Sequence, residues 1–218
     1  MISALHDERL QAVRDVILTH RARSILDLGC GEGDLLLDLA CQPGIQTIVG
    51  IDISAPSIER LRARLKRLGS AVTAHVELQH GSMTAPPGRL AGFDAAIMVE
   101  TIEHLPPEQL SVLERSLFAT LRPSLVVITT PNADFNGLLG VPTHRFRHPD
   151  HRFEWGRAKS RAWAEGVAGR NRYSVTRTDL AGQHPACGGA SQMATFQAAP
   201  ARGADPARGG GPPGGGGG

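Results

Sequence analysis

The segment Glu100-Thr101-Ile102-Glu103-His104 follows directly on the apolar run Phe93-Asp94-Ala95-Ala96-Ile97-Met98-Val99. Two carboxylates and an imidazole therefore stand at spacings i, i+3 and i+4. If a helix begins here, the three side chains share one face, with neighbouring Cβ atoms about 5–6 Å apart. Such a triplet can converge on one metal ion. It would also sit at the carboxyl end of a strand, where ligands bind in α/β sheets. The competing reading is a solvated acidic helix start, because glutamate is favourable in a first helical turn.

A second chemical element stands upstream, in Ile25-Leu26-Asp27-Leu28-Gly29-Cys30-Gly31-Glu32-Gly33-Asp34-Leu35-Leu36. It reads as a short apolar strand, a glycine-rich turn and a helix with Leu35, Leu36 and Leu39 facing inward. Glycines at such a turn let backbone approach a ligand with no Cβ between them. A dinucleotide fingerprint would require glycine at Asp34, so nicotinamide is disfavoured. The spacing Asp27-x-Gly29-x-Gly31-x-Gly33 instead resembles the cofactor loop of class I S-adenosylmethionine methyltransferases. A second strand, Thr47–Ile51, ends at Asp52, whose carboxylate can accept hydrogen bonds from both hydroxyls of a ribose. Ser54 then caps a helix with Ile58, Leu61, Leu65 and Leu68 on its apolar stripe.

The elements that must position these groups alternate along the chain. A helix is predicted from about Leu5 to Thr19, then strand, helix, strand and helix through Leu68. Val72–Leu78 reads as a third strand leading to Gly81-Ser82-Met83, and Phe93–Val99 as a fourth. Leu110, Leu113, Leu117 and Leu121 mark an amphipathic helix before a buried strand at Leu125–Thr129. A loop from Ala133 to Asp150, a helix around Arg157–Gly169 and two strands, Tyr173–Thr178 and Gln192–Gln197, complete the pattern. This order predicts an α/β fold with a mainly parallel central sheet and helices on both faces. One Rossmann-like domain is expected over residues 1–199, followed by a disordered Gly/Pro-rich tail over 200–218.

Composition supports these assignments. The chain has 218 residues and a formal net charge of +2, enough length for a sizeable core and too little charge to announce a polyanionic partner. No apolar run reaches the roughly 18 residues of a membrane span, and the first residues lack a signal-peptide core. Cys30, Cys41 and Cys187 are three and widely spaced, which suits a reducing cytoplasm and offers no zinc pattern.

A third cluster lies in the long loop, His144-Arg145-Phe146-Arg147-His148-Pro149-Asp150-His151-Arg152-Phe153-Glu154-Trp155. Its histidines, arginines and aromatic rings suit metal, phosphate and base faces. Val99–Leu105, Thr129-Thr130-Pro131-Asn132-Ala133-Asp134-Phe135-Asn136 and Asp150–Trp155 together resemble the HEN family of small-RNA 3′-terminal 2′-O-methyltransferases. That family includes bacterial RNA-repair enzymes and eukaryotic ones acting on microRNA or piwi-associated RNA in gene silencing. The resemblance covers roughly residues 5 to 197. It implies a divalent ion, magnesium or manganese, held by Glu100, Glu103, His104 and His151, which form the catalytic centre. It also implies S-adenosylmethionine held by Asp27, Gly29, Gly31, Gly33, Asp52 and Ser82. His144 and His148 are expected to face RNA or solvent. Gly156 departs from the family's usual threonine, and Lys159-Ser160 from an acidic-aromatic pair. Bacterial relatives carry a large N-terminal domain that works with a kinase-phosphatase-ligase. The chain has no room for one, so it is expected to act alone or with a separately encoded partner.

The implied reaction explains the groups. A cation chelated by the terminal 2′ and 3′ oxygens would lower the hydroxyl pKa and orient it for in-line attack on the sulfonium methyl. Only an RNA 3′ end with a free 2′,3′ diol offers that chelate. His104 is assigned as ligand before base, since a metal-bound nitrogen accepts no proton. Two carboxylates and two imidazoles suit manganese or cobalt better than magnesium. The alternatives are a metal-dependent methyltransferase acting on a small vicinal-diol metabolite and a non-catalytic RNA-binding scaffold.

Overall fold

In a computed structural model, residues 2–199 are described; Met1 and the Gly/Pro-rich segment 200–218 lie outside the described residues. Seven strands form a single sheet in the order β3-β2-β1-β4-β5-β7-β6. These are β1 (Ser24–Leu28), β2 (Thr47–Asp52), β3 (His75–His80), β4 (Ala95–Val99), β5 (Leu125–Pro131), β6 (Tyr173–Leu180) and β7 (Ser191–Ala198). The first five pair in parallel, and β7 inserts antiparallel between β5 and β6.

The central strands read as continuous apolar runs because both faces are covered. Ile25, Ile48, Ile97 and Val127 face one core with α1 (Ile2–Thr19), α2 (Asp34–Ala40) and α3 (Ala55–Leu68). Leu26, Val49, Met98 and Ile128 face the other, with α4 (Leu110–Glu114), its π-helical continuation Arg115–Leu121, and α5 (Arg157–Asn171). Helix α3 starts where Ser54 Oγ accepts the Ser57 N–H at 3.3 Å, and it carries Lys66 and Arg67 in its last turn. Those cations complement the helix dipole.

Element ends shift by a few residues from the sequence pattern, β4 for example starting at Ala95 rather than Phe93, and two departures have a visible cause. The third strand begins at His75 rather than Val72, because the N–H groups of Thr73 and Ala74 donate to the Ala40 carbonyl instead of to β2. The helical turn that the spacing predicts over Glu100–His104 does not form. Glu100 N–H still donates to the Thr129 carbonyl as an extension of the β4–β5 ladder, and neither Glu100 nor Thr101, the latter at φ −129° and ψ −40°, has helical backbone. Glu100 then turns the chain with φ of 49°. Only a single 3₁₀ turn, Ile102–His104, follows. Leu105 is extended ahead of Pro106, as the residue before proline tends to be.

Candidate functional site

The carboxyl ends of β1, β2, β4 and β5 carry the chemistry. Gly29, Gly31 and Gly33 in the β1–α2 turn have φ values of 83°, 54° and 81°. Added methyl groups would meet Thr101 at Gly29 and Leu61 at Gly33, whereas one at Gly31 would meet nothing within 4 Å. Packing thus requires the first and third glycines, and Gly31 leaves its backbone open to a ligand. The Asp52 carboxylate braces this turn, accepting the Gly31 N–H at 2.8 Å and the Ser54 N–H at 2.7 Å. Each oxygen keeps acceptor capacity for a sugar hydroxyl.

A cavity of about 450 Å³ joins this half to the second; its walls include Gly29, Asp52, Ser82, Glu100, Thr101 and His104. Gly31 and Gly33 do not line it: Gly31 is linked to it only through the bond from its N–H to Asp52, and Gly33 packs against Leu61. Asp27 lies beneath the turn, only 5% exposed. Burial, and secondarily the charge of Asp52, push its carboxyl up to about 7. Asp27 therefore shapes the floor of the loop and is not part of the cavity wall. A cavity walled by open backbone, an aspartate and a serine fits a nucleoside-bearing cofactor.

In the second half, Glu100 Oε2 lies 2.8 Å from the guanidinium of Arg9 on α1 and accepts a hydrogen bond from Ser191 Oγ of β7 at 3.3 Å. Glu103 is fully buried, with Oε2 accepting from Thr130 Oγ1 of β5 at 3.3 Å. Burial first, and the Glu100 charge second, push the Glu103 carboxyl well above its ordinary range. The Oε1 atoms of both glutamates, and Arg9 Nε, are buried without partners. Unpaired buried carboxylate oxygens are costly, and a cation would satisfy them.

The loop between β5 and α5 delivers imidazoles to the same turn. Arg152 N–H donates to the Glu103 carbonyl at 2.7 Å, which ties the loop to the Ile102–His104 turn. His104 and His151 stand 4.8 Å apart between ring centroids, edge to face. The ligand atoms of His104, His148 and His151 all lie within 4.8 Å of one another. Burial, then the neighbouring His151 and His148, hold the His104 imidazole below its ordinary pKa, which favours the neutral, ligating form. Sequence reasoning places His148 away from this cluster, and the structure brings it in. The carboxylates of Glu100 and Glu103 are not part of the three-imidazole group. They lie in the sequence-adjacent shell described above. Buried carboxylate oxygens without partners and the imidazole nitrogens of the adjoining cluster are donor types that suit a divalent cation.

Arg9, Thr130, Ser191, Arg147 and Glu154 escape the sequence pattern as site residues. Arg147 and Glu154 stand in the quoted loop motif, and Arg9 offers only a polar position on an amphipathic helix. Gly156 also gains a reason, since a methyl there would strike the Asp134 carboxylate, which accepts the Arg157 N–H at 3.0 Å at the start of α5.

Comparison with known proteins agrees with this fold. The family described as "Methyltransferase domain" matches residues 25–124. A crystal structure of the methyltransferase domain of bacterial CtHen1 is 36% identical, with a TM-score of 0.79, covering 89% of this chain and 98% of that one. The crystal structure of small RNA methyltransferase HEN1 is 32% identical with a TM-score of 0.82, covering 89% of this chain and 26% of that one. The small RNA 2′-O-methyltransferase of Rattus norvegicus is 40% identical over 182 residues, 81% of this chain and 46% of that protein. The chain thus spans about half the length of the curated relatives it matches.

Proposed function

The chain belongs to the Hen1 family of small RNA 2′-O-methyltransferases, and from that premise we propose that it methylates the 2′-hydroxyl of the 3′-terminal nucleotide of RNA, using S-adenosylmethionine and a divalent cation. The observation that carries this reading is the single cavity shared by Gly29, Asp52 and Ser82 on one side and Glu100 and His104 on the other. Residues proposed for the methyl donor and two of those proposed for the cation thus share one cavity wall.

Each residue has a defined task. Open backbone at Gly31 admits the methionine end of the cofactor, and Asp52 receives its ribose hydroxyls. Glu100, Glu103, His104 and His151 would hold the cation. When bound, the cation lowers the pKa of a chelated 2′-hydroxyl and aligns it with the methyl group. His104 and His151 offer ring-nitrogen lone pairs, and Arg9 neutralises part of the carboxylate charge. Loop residues Arg145 and Arg152, both exposed, suit phosphate contacts. Selection of a 3′ end follows from chemistry, because an internal nucleotide's 3′ oxygen is esterified and offers no vicinal diol.

The direct test is labelled methyl transfer to a short RNA with a free 3′ diol, beside its 3′-phosphate and 2′-deoxy versions. Transfer to the diol alone, abolished by a chelator and restored by manganese, is the expected result. Equal transfer to the 3′-phosphate, or transfer indifferent to the chelator, would overturn the reading. Transfer to small catechols, with RNA binding that lacks a steep salt dependence, would instead mark a metabolite enzyme.

A further inference from the structure

We infer that Glu154 is the positioning residue that makes His151, rather than its neighbour His148, the loop's metal ligand. The inference rests on the cation-site reading above. Both imidazoles stand in one cluster, so proximity alone does not choose between them. Their hydrogen bonds do.

Glu154 is almost wholly buried at its side chain, 1% exposed, and its Oε1 lies 2.6 Å from His151 Nδ1. A carboxylate can only accept, so His151 Nδ1 carries the proton and Nε2 keeps its lone pair. The same carboxylate accepts the Arg147 N–H at 2.7 Å and Asn136 Nδ2 at 2.6 Å. Three donors fix its plane, and the Arg147 guanidinium fixes them in turn. It donates to Asn136 Oδ1 at 2.5 Å, to the Ala190 carbonyl at 2.6 Å and to the Asn132 carbonyl. The ligand loop is thereby pinned to the end of β5 and the start of β7.

His148 has the opposite arrangement. Its Nδ1 accepts the Asp150 N–H at 3.2 Å, which in the neutral ring places the proton on Nε2. The ring is exposed, and the Asp150 carboxylate lies 3.8 Å from the same Nδ1. Nothing buried holds it. A metal-binding histidine typically donates its second ring nitrogen to such a buried acceptor, and loss of that partner lowers metal affinity about 10–100-fold.

Two measurements test this. In the cation-free protein, long-range proton–nitrogen NMR should show His151 as the Nδ1–H tautomer and His148 as the Nε2–H tautomer. His151 protonated at Nε2 would overturn the inference whatever the metal does. In calorimetry with manganese chloride, Glu154→Gln should bind manganese about 10–100-fold more weakly than wild type, with S-adenosylmethionine affinity unchanged. Glu154→Asp should recover part of the loss. Wild-type manganese affinity in a folded Glu154→Gln protein would also overturn the inference. No manganese binding by the wild type would instead break the cation-site reading, and the tautomers would still decide what Glu154 does. If Glu154→Gln does not fold, the wild-type tautomers decide by themselves.

Discussion

The two halves of the cavity are finished to different degrees. Around the glycine turn the polar groups are matched: Asp52 takes two backbone N–H groups, and Ser82 Oγ pairs with Thr84 Oγ1 at 2.8 Å. Around Glu100 and Glu103, three buried atoms have no partner, although the neighbouring strands supply Thr130 and Ser191. Backbone conformation shapes the first half, and it is complete as folded. Charge shapes the second, and a carboxylate pair buried beside a single arginine is stable only at some cost. Catalytic sites commonly hold such tension in the part that meets the reacting group.

This contrast can be broken most forcefully at His151. His151→Ala should cut methyl transfer and manganese affinity by roughly two orders of magnitude or more while sparing S-adenosylmethionine binding, a step the size of about 3 kcal/mol. His148→Ala should change manganese affinity far less. The reverse pattern in calorimetry would shift the ligand assignment by three residues. Asp52→Ala should act on the other half alone, weakening S-adenosylmethionine by about 1.5–3 kcal/mol, the range for a charged hydrogen bond. Part of that loss reflects the freed Gly31 N–H. Unchanged cofactor affinity in a folded protein would move the cofactor elsewhere.

A smaller effect concerns Asp27. Its carboxyl is raised from 3.8 to about 7 by burial and by Asp52, so the folded chain keeps a proton that the unfolded chain releases. Stability of the cofactor-free protein should therefore be greatest below pH 4 as far as this group is concerned, and fall as pH rises toward 7. The loss is complete above that, at most about 4 kcal/mol. Asp27→Asn should flatten this slope and raise the melting temperature at pH 8 but not at pH 4. Parallel melting curves for the two proteins across that range would refute it. The smallest effect should come from the tail: ending the chain after Ala199 should leave methyl transfer and melting temperature nearly unchanged, since it removes no described element.

Much of the fold is legible because buried parallel strands are apolar without interruption, and Ile25–Leu28, Ala95–Val99 and Leu125–Ile128 are nearly such runs, broken only by Asp27. The glycine turn is legible because few residues other than glycine adopt φ near 80°. The geometry of Glu100–His104 is not. Spacing alone suggests a helix, while the left-handed backbone at Glu100 and the non-helical backbone at Thr101 interrupt it. Arg9 is invisible for a related reason: it meets Glu100 from a distant helix, and no local pattern encodes that encounter. The roles of Arg147 and Glu154 lie inside a motif that the sequence does display, but their inward orientation depends on Asn132, Asn136 and Ala190, which only folding brings near.

The insertion of β7 between β5 and β6 has a consequence for synthesis on the ribosome. Ser191, which contacts Glu100, and Ala190, which receives the Arg147 guanidinium, stand at the start of the last of the described strands to emerge. Until β7 arrives, β5 presents an open edge along its paired positions from Leu125 to Pro131, and such an edge invites pairing with other chains. A nascent chain stalled before Ser191 would thus hold a nearly complete glycine turn beside a Glu100 still lacking its Ser191 contact, with the β5 edge open to such pairing.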